Sequence, residues 1–387
     1  MTSVVCLPDD HLVCQVVSII ESEYATGPVV GVEQLYGGYT NLSFAVSVFR
    51  GGEIHKLFFR KYWLGVTPEV IEFEHALLAH VISRGADFVA GVISTREGRG
   101  YASRVEVVGG VERVFYYAAF DFIGGLDKYS WISNHLTTGE LVSAGAALAA
   151  LHVAARDFSS GDLPLPRDVV TDVVPRLSGL LADCVDRAEQ CCYCRYFLRN
   201  APDILGEIDR VTAILREVPD MPLIGVHGDF HPGNQKYFND RIVGIFDFDR
   251  ANIDLRVYDL ALAVVYFCSV WGGGDDGSLC LERMGVFLGG YQGRAGEDTL
   301  LGAMDGVELE YFSAMLAAAN LVLIKWATVD SFFVGEKECD SAEYLSYLRH
   351  HVRLMRWIRG NAAGLSRTLR SLACLPSSGQ RPPSPTD

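Results

Sequence analysis

The chain has 387 residues, more than one hydrophobic core usually holds, so its length points to two lobes. A formal net charge of -15 at pH 7 and an isoelectric point of about 5.1 exclude the basic face that a nucleic-acid binder needs. A solvated acidic surface explains such a balance most simply, and a cationic small substrate is compatible with it.

The first element is a helix over residues 10–22, where Leu12, Val13, Val16, Val17 and Ile20 recur at helical spacing. A strand over 29–33 follows, then the glycine turn Gly37-Gly38-Tyr39-Thr40-Asn41, then a strand over 43–49. In that strand Phe44, Val46 and Val48 alternate with Ser43, Ala45 and Ser47. After the turn Arg50-Gly51-Gly52, residues 54–63 read as the next strand of an antiparallel meander. Thr67-Pro68-Glu69 opens a helix with a capping residue, a first-turn proline and an acid at the positive end. Its apolar stripe is Val70, Ile71, Leu77, Leu78 and Val81, and Glu74 lies on that stripe. Strands are expected over 91–95, 103–108 and 111–120, the last two joined by Gly109-Gly110.

Beyond Phe122-Ile123-Gly124-Gly125 the pattern turns helical. Thr137-Thr138-Gly139-Glu140 fits a capping box, and its helix runs to about Ala155 with Leu141, Gly145, Leu148, Leu151 and His152 on or near one face. Gly145 would let another element approach closely. Helices are also expected over 172–184, over 203–216 with Pro202 at its start, and over 281–288, 307–331, 342–358 and 362–372. Residues 377–387 are rich in serine and proline and read as disordered. Met1 to Asp10 lacks the basic and apolar regions of a signal peptide. The apolar runs 260–268 and 315–323 fall short of the ~20 residues of a spanning helix. A cytoplasmic protein with no membrane partner is therefore expected. Cys191 and Cys194 form a Cys-x-x-Cys pair among 10 cysteines, but without a second pair or nearby histidines they read as reduced, unligated thiols.

The layout is α+β: a small antiparallel β lobe with one main helix over residues 1–120, a linker over 121–125, and a larger helical lobe over 126–374. The chemistry concentrates in His227-Gly228-Asp229-Phe230-His231-Pro232-Gly233-Asn234 and, beyond a hairpin turning at Asn239-Asp240, in Ile245-Phe246-Asp247-Phe248-Asp249. Phosphoryl transfer needs a carboxylate to orient or deprotonate a hydroxyl, and a few oxygen ligands for magnesium. Asp229 suits the first task; Asn234 and Asp247 suit the second. By spacing alone, an acidic surface turn remains the commoner reading.

These two motifs, with Tyr258-Asp259-Leu260-Ala261, resemble the aminoglycoside phosphotransferase and choline kinase superfamily. The flanking sequence is most similar to its homoserine kinase type II branch, and the resemblance spans roughly residues 34–357. It implies a bilobal protein-kinase-like fold, Asp229 as catalytic base, Asn234 and Asp247 as Mg2+ ligands, and Asp259 as a support of the loop. His227 and His152 read as packing residues, His231 as a loop residue within possible reach of substrate, and Asp249 as either a further metal contact or a turn former. Gly37, Gly38, Thr40 and Asn41 resemble the family's nucleotide loop. The resemblance implies that the strand Lys56-Leu57-Phe58-Phe59-Arg60-Lys61-Tyr62 supplies a cation for the nucleotide phosphates. Alternation sends Arg60 and Lys61 to opposite faces, so only one of them is expected to point inward; the family pattern favours Arg60, with Lys61 the fallback. Glu74 is the expected partner, since a carboxylate on an apolar stripe is costly unless paired. Glu72 points away and should be solvated.

The expected activity is an ATP- and Mg2+-dependent kinase that phosphorylates a hydroxyl of a small molecule, homoserine first, with an aminoglycoside or another amino alcohol as the runner-up. The rival from another class is a catalytically silent nucleotide-binding protein on the same fold. Its mark would be loss of the base or a metal ligand, and all three residues are present.

Overall fold

In a computed structural model, the structure describes residues 10–35, 41–128, 135–164, 169–187, 191–333 and 341–373. It divides into two compact units. One comprises Met1–Gly125 with Ser160–Pro164 and Val243–Asp249; the other comprises Leu126–Ser159, Leu165–Ile242 and Arg250–Asp387.

The first unit begins with α1 (Asp10–Glu23) and the meander β1 (Val29–Leu35), β2 (Leu42–Arg50) and β3 (Glu53–Lys61). Then come α2 (Pro68–Ser83), β4 (Val92–Ile93), β5 (Ala102–Val108) and β6 (Val111–Asp121). The sheet runs in the order β1-β2-β3-β6-β4, and β5 pairs with β6. Phe44, Val46 and Val48 of β2 are buried as the alternation requires, although Ala45 of the other face is buried as well; Val16, Ile19 and Ile20 of α1 join the first three with Leu57 and Phe59 of β3. Two local expectations differ. The strand expected over 91–95 forms a ladder at Val92 and Ile93 alone; Thr95 makes an isolated bridge to Tyr24, and its amide turns to donate to the Arg99 carbonyl. Thr67 stands at the N-cap of α2 without a side-chain cap bond, since its hydroxyl engages the Glu69 carboxylate instead.

The second unit holds α3 (Thr138–Ala155), α4 (Val174–Arg187), α5 (Cys192–Leu215), β7 (Leu223–Val226) and β8 (Gln235–Phe238). The strand β9 (Arg241–Ile245) starts in this unit and carries the chain into the segment counted with the first. Next are β10 (Asn252–Leu255), α6 (Arg256–Cys268), β11 (Ser269–Val270), β12 (Ser278–Leu279), α7 (Leu281–Ala295), α8 (Gly306–Lys325), α9 (Ser341–Gly360) and α10 (Ala362–Ala373). The capping box of α3 forms as expected: Thr137 accepts from the Glu140 amide and Glu140 accepts from the Thr137 amide. Pro202 does not start a helix. It lies inside α5, which begins ten residues earlier where the Cys191 thiol accepts from the Cys194 amide. That bond supplies a cap no proline rule anticipates, and it gives the Cys191 thiol a structural task.

Asn239 and Asp240 turn the hairpin between β8 and β9 with φ of 48° and 58°, the left-handed pair that a two-residue hairpin requires. Two helical stretches, Thr138–Ala155 and Gly306–Phe333, are long and apolar enough by composition to cross a membrane, which corrects the expectation of short apolar runs. Their apolar windows are 56% and 72% buried inside the structure, as core helices are. The tail expected to be disordered lies outside the described residues.

Candidate functional site

Residues of the first unit build a cation held among acids. Arg60 leaves β3 on the face opposite Phe59 and is 2% exposed. Its Nη1 donates to Glu74 Oε1 at 3.0 Å and its Nη2 to Asp247 Oδ1 at 2.9 Å. Glu74 is buried on α2 as its place on the apolar stripe requires, and Tyr62 donates to its other oxygen at 2.8 Å. Burial opposes the charge on Arg60, but Asp247 and then Glu74 overcome it and raise its pKa. Burial raises the pKa of Glu74, with Arg60 pulling the other way. Glu72 is exposed and accepts from Tyr101, the outward position expected of it. Lys61 is also buried, on the opposite face, where it pairs with Glu106 at 2.6 Å. Arg60 and Lys61 are therefore both inside, each with its own acid, and Arg60 is the one that meets Glu74.

Asp247 has φ of 67°, in the left-handed region that residues other than glycine, asparagine and aspartate seldom adopt. Asp249 accepts from the Asn41 side chain at 3.0 Å, and Asn41 in turn accepts from the Trp63 amide. Three carboxylates, Glu74, Asp247 and Asp249, thus act on one guanidinium, an excess of negative charge. Gly37, Gly38 and Thr40 lie outside the described residues.

Residues of the second unit build the loop that carries Asp229. Its support starts from two glycines. A Cβ on Gly145 would overlap the Phe287 carbonyl, and one on Gly290 would overlap the Val142 carbonyl, so α3 and α7 pack backbone to backbone. That closeness lets Tyr291 of α7 reach His152 of α3, with the hydroxyl 2.9 Å from Nδ1. His152 Nε2 lies 3.0 Å from Asp259 Oδ2. Asp259, fully buried on α6, accepts from the Gly228 amide at 2.9 Å and the His227 amide at 3.3 Å. Burial works against this carboxylate, yet the His152 hydrogen bond, His227 and the Gly228 amide hold its pKa below the usual range. Asp259 is therefore the support that the resemblance implies.

Gly228 passes under Arg250 with φ of 75°, where any side chain would strike the Arg250 carbonyl. His227 is buried and its Nδ1 accepts from the Asp229 amide at 3.2 Å, a packing role as expected. His231 Nδ1 accepts from the Gly233 amide at 3.0 Å. Asn234 Nδ2 donates to the Asp229 carbonyl at 3.0 Å, which leaves Oδ1 as its acceptor end. Asp229 Oδ1 accepts from the Tyr266 hydroxyl at 2.8 Å, and Oδ2 stands 3.7 Å from His231 Nε2. Tyr266 and Tyr62 escaped the sequence reading. Tyr266 lies on α6 seven residues after Asp259, two helical turns along, and only that spacing could have pointed to it.

Among the described residues no three His, Cys, Asp or Glu side chains cluster to hold a metal ion. Magnesium needs less: one or two carboxylates, with water and substrate phosphates completing an octahedron of oxygens. Oxygen donors of that kind occur in each unit: the Asp247 carboxylate in the first and the Asn234 amide oxygen in the second.

Comparisons with known proteins identify the family and the fold. A family model described as a phosphotransferase enzyme family (APH) matches residues 31–295. An uncharacterized protein of Deinococcus radiodurans is 28% identical over 231 residues, which cover 59% of this chain and 60% of that protein. A homoserine kinase of Bradyrhizobium sp. (strain BTAi1) is 25% identical over 338 residues, covering 85% of this chain and 89% of that enzyme. Among solved structures, amicoumacin kinase in complex with AMP-PNP, Ca2+ and Ami superposes with a TM-score of 0.62 at 14% identity, covering 89% of this chain and 93% of that one. The α+β kinase-like fold expected from the sequence is the fold observed.

Proposed function

Because the chain belongs to the phosphotransferase enzyme family, whose members act on hydroxyl groups, we propose that it transfers the γ-phosphoryl group of ATP to the hydroxyl of a small molecule, homoserine first. The observation that carries this reading is the set of hydrogen bonds around Asp229. Its backbone amide, backbone carbonyl and Oδ1 are all engaged, by His227, Asn234 and Tyr266, so the carboxylate is fixed before any substrate arrives. A carboxylate so held suits the orientation of an attacking hydroxyl and the acceptance of its proton.

The remaining roles follow from the chemistry of the side chains. Arg60, fixed by Glu74 and Tyr62, offers a planar fork to phosphate oxygens, and its charge is secure because two carboxylates hold it. Asn234 and Asp247 would hold Mg2+, which when bound supplies charge to offset that on the phosphate oxygens. Gly37, Gly38, Thr40 and Asn41 would bring backbone amides to the phosphates. The 1–120, 121–125 and 126–374 division assigns nucleotide binding to the first lobe and acceptor choice to the helices of the second. Homoserine is preferred because the relatives aligned along most of this chain bear the name homoserine kinase. The test is a panel of L-homoserine, choline, methylthioribose, hydroxylysine and aminoglycosides, read by coupled ADP release with magnesium and ATP. Homoserine should give the highest kcat/KM; a higher value for any other acceptor reassigns the substrate, and no acceptor-dependent release from any of them removes the reading.

A further inference from the structure

The two oxygens of Asp229 are not equivalent. Oδ1 receives the Tyr266 hydroxyl at 2.8 Å, a full-strength hydrogen bond from a phenol to a carboxylate. Oδ2 has His231 Nε2 at 3.7 Å, beyond hydrogen-bond length. His231 is itself fixed: Nδ1 accepts from the Gly233 amide, so in the neutral ring the proton is on Nε2, the atom turned toward Oδ2. The His231 ring also packs on Tyr266 with centroids 5.2 Å apart. Tyr266 is carried by α6, the helix that carries Asp259, and Asp259 holds the loop from the other side through the amides of His227 and Gly228. One helix therefore anchors the catalytic loop twice, once by its backbone and once by the reacting carboxylate.

We propose that Tyr266 is a positioning residue for phosphoryl transfer: its hydroxyl occupies Oδ1 of Asp229 and so assigns Oδ2 to the hydroxyl of the acceptor. The inference rests on Asp229 being the base. In the step it describes, the acceptor oxygen forms a bond to the γ-phosphorus as the bond from that phosphorus to the β,γ-bridging oxygen of ATP breaks. The acceptor proton passes to Oδ2, and ADP leaves with the bridging oxygen. Tyr266 keeps its own proton throughout. Without its hydrogen bond the carboxylate can rotate about the Cβ–Cγ bond, and the accepting oxygen is no longer held in line with the acceptor. A misplacement of this kind costs up to about 100-fold in rate while leaving binding intact.

The experiment compares the full-length chain with Tyr266→Phe, which keeps the ring that packs on His231. Turnover is measured with magnesium and ATP in two ways: phosphorylation of L-homoserine, and ATP hydrolysis with water as acceptor, which requires no knowledge of the natural acceptor. The expected result is a kcat lowered roughly 10- to 100-fold in either assay, with KM for ATP and the thermal midpoint unchanged. The same substitution is made in an Asp229→Glu background, where the longer side chain carries the carboxylate away from the Tyr266 hydroxyl. There it should change kcat less than about twofold, the non-additivity that direct coupling requires. Equal kcat for parent and Tyr266→Phe overturns the proposal, and so does the same fold-loss in both backgrounds. Near-parental turnover of Asp229→Asn, measured alongside, would instead overturn the assignment of the base itself.

Discussion

Replacement of Glu74 by glutamine tests whether the Arg60 cluster is a working clamp. Glutamine keeps the volume of the side chain but removes the charge from a site 2% exposed. In the parent, Glu74 accepts from Arg60 at 3.0 Å and from Tyr62 at 2.8 Å. Glutamine can accept only one of these on its oxygen; its amide must face the other donor, which Tyr62 can accommodate by turning its hydroxyl and Arg60 cannot. Breaking a buried pair from one side costs about 3–5 kcal/mol. Asp247 stays 2.9 Å from Arg60 and retains part of the compensation, so about 3 kcal/mol is expected, the lower end of that range. At roughly 2–4 °C per kcal/mol for a unit of this size, the first thermal transition should fall by about 6–12 °C. Isothermal titration with ATP should show roughly tenfold weaker binding, because a guanidinium held at one end only is a poorer template for phosphate. The double variant Arg60→Met with Glu74→Leu separates the two effects: an apolar pair should restore much of the stability while ATP affinity stays low. A midpoint for Glu74→Gln within 2 °C of the parent, with unchanged ATP affinity, would refute this reasoning.

Other outcomes follow from the same geometry. Gly145→Ala forces α3 away from α7 and should cost about 1–3 kcal/mol by thermal unfolding, with turnover falling as His152 loses its alignment with Asp259. Acid should destabilise the fold through two histidines. Burial lowers the pKa of His350 to about 4, and burial together with Arg60 lowers that of His75 to about 4. Both are neutral when folded, so their contribution is complete above the unfolded value near 6.5 and is lost as the pH falls toward 4. At pH 5 the loss amounts to about 2 kcal/mol for His350 and less for the half-buried His75. Urea unfolding between pH 7 and 4.5 should trace this fall, and His350→Gln should flatten it. A profile unchanged by His350→Gln would contradict the assignment of this histidine as a buried neutral group.

Periodicity and punctuation made much of the fold legible. The meander of β1 to β3, the capping box at Thr137 and the turn at Asn239-Asp240 are local, and local rules suffice for them. Gly145 was legible as a point of close approach, but its counterpart Gly290 was not, because nothing near it sets it apart from any other helical glycine. Pro202 misled for a physical reason: an N1 proline and a mid-helix proline look alike unless the cap upstream is recognised, and here the cap is a cysteine thiol. Alternation correctly sent Arg60 and Lys61 to opposite faces. The inference that only one would be buried failed because Glu106, distant in sequence, gives Lys61 a partner of its own. The acids that meet Arg60 follow from different signals. Glu74 betrays itself by standing on an apolar stripe, whereas the link from Arg60 to Asp247 spans 187 positions and only a folded chain reveals it. Tyr266 and Tyr62 are the same case, aromatic residues whose one polar atom matters and whose sequence surroundings give it no emphasis.

The central claim, that Asp229 serves a magnesium-dependent transfer from ATP to a small-molecule hydroxyl, is tested most directly by acceptor-dependent ADP release in the parent chain and in Asp229→Asn. The account predicts that L-homoserine stimulates ADP release in the parent, that this release stops in the variant, and that calorimetry finds ATP bound by both. Near-parental turnover in Asp229→Asn, or a parent chain that binds ATP and phosphorylates no hydroxyl acceptor, would contradict it.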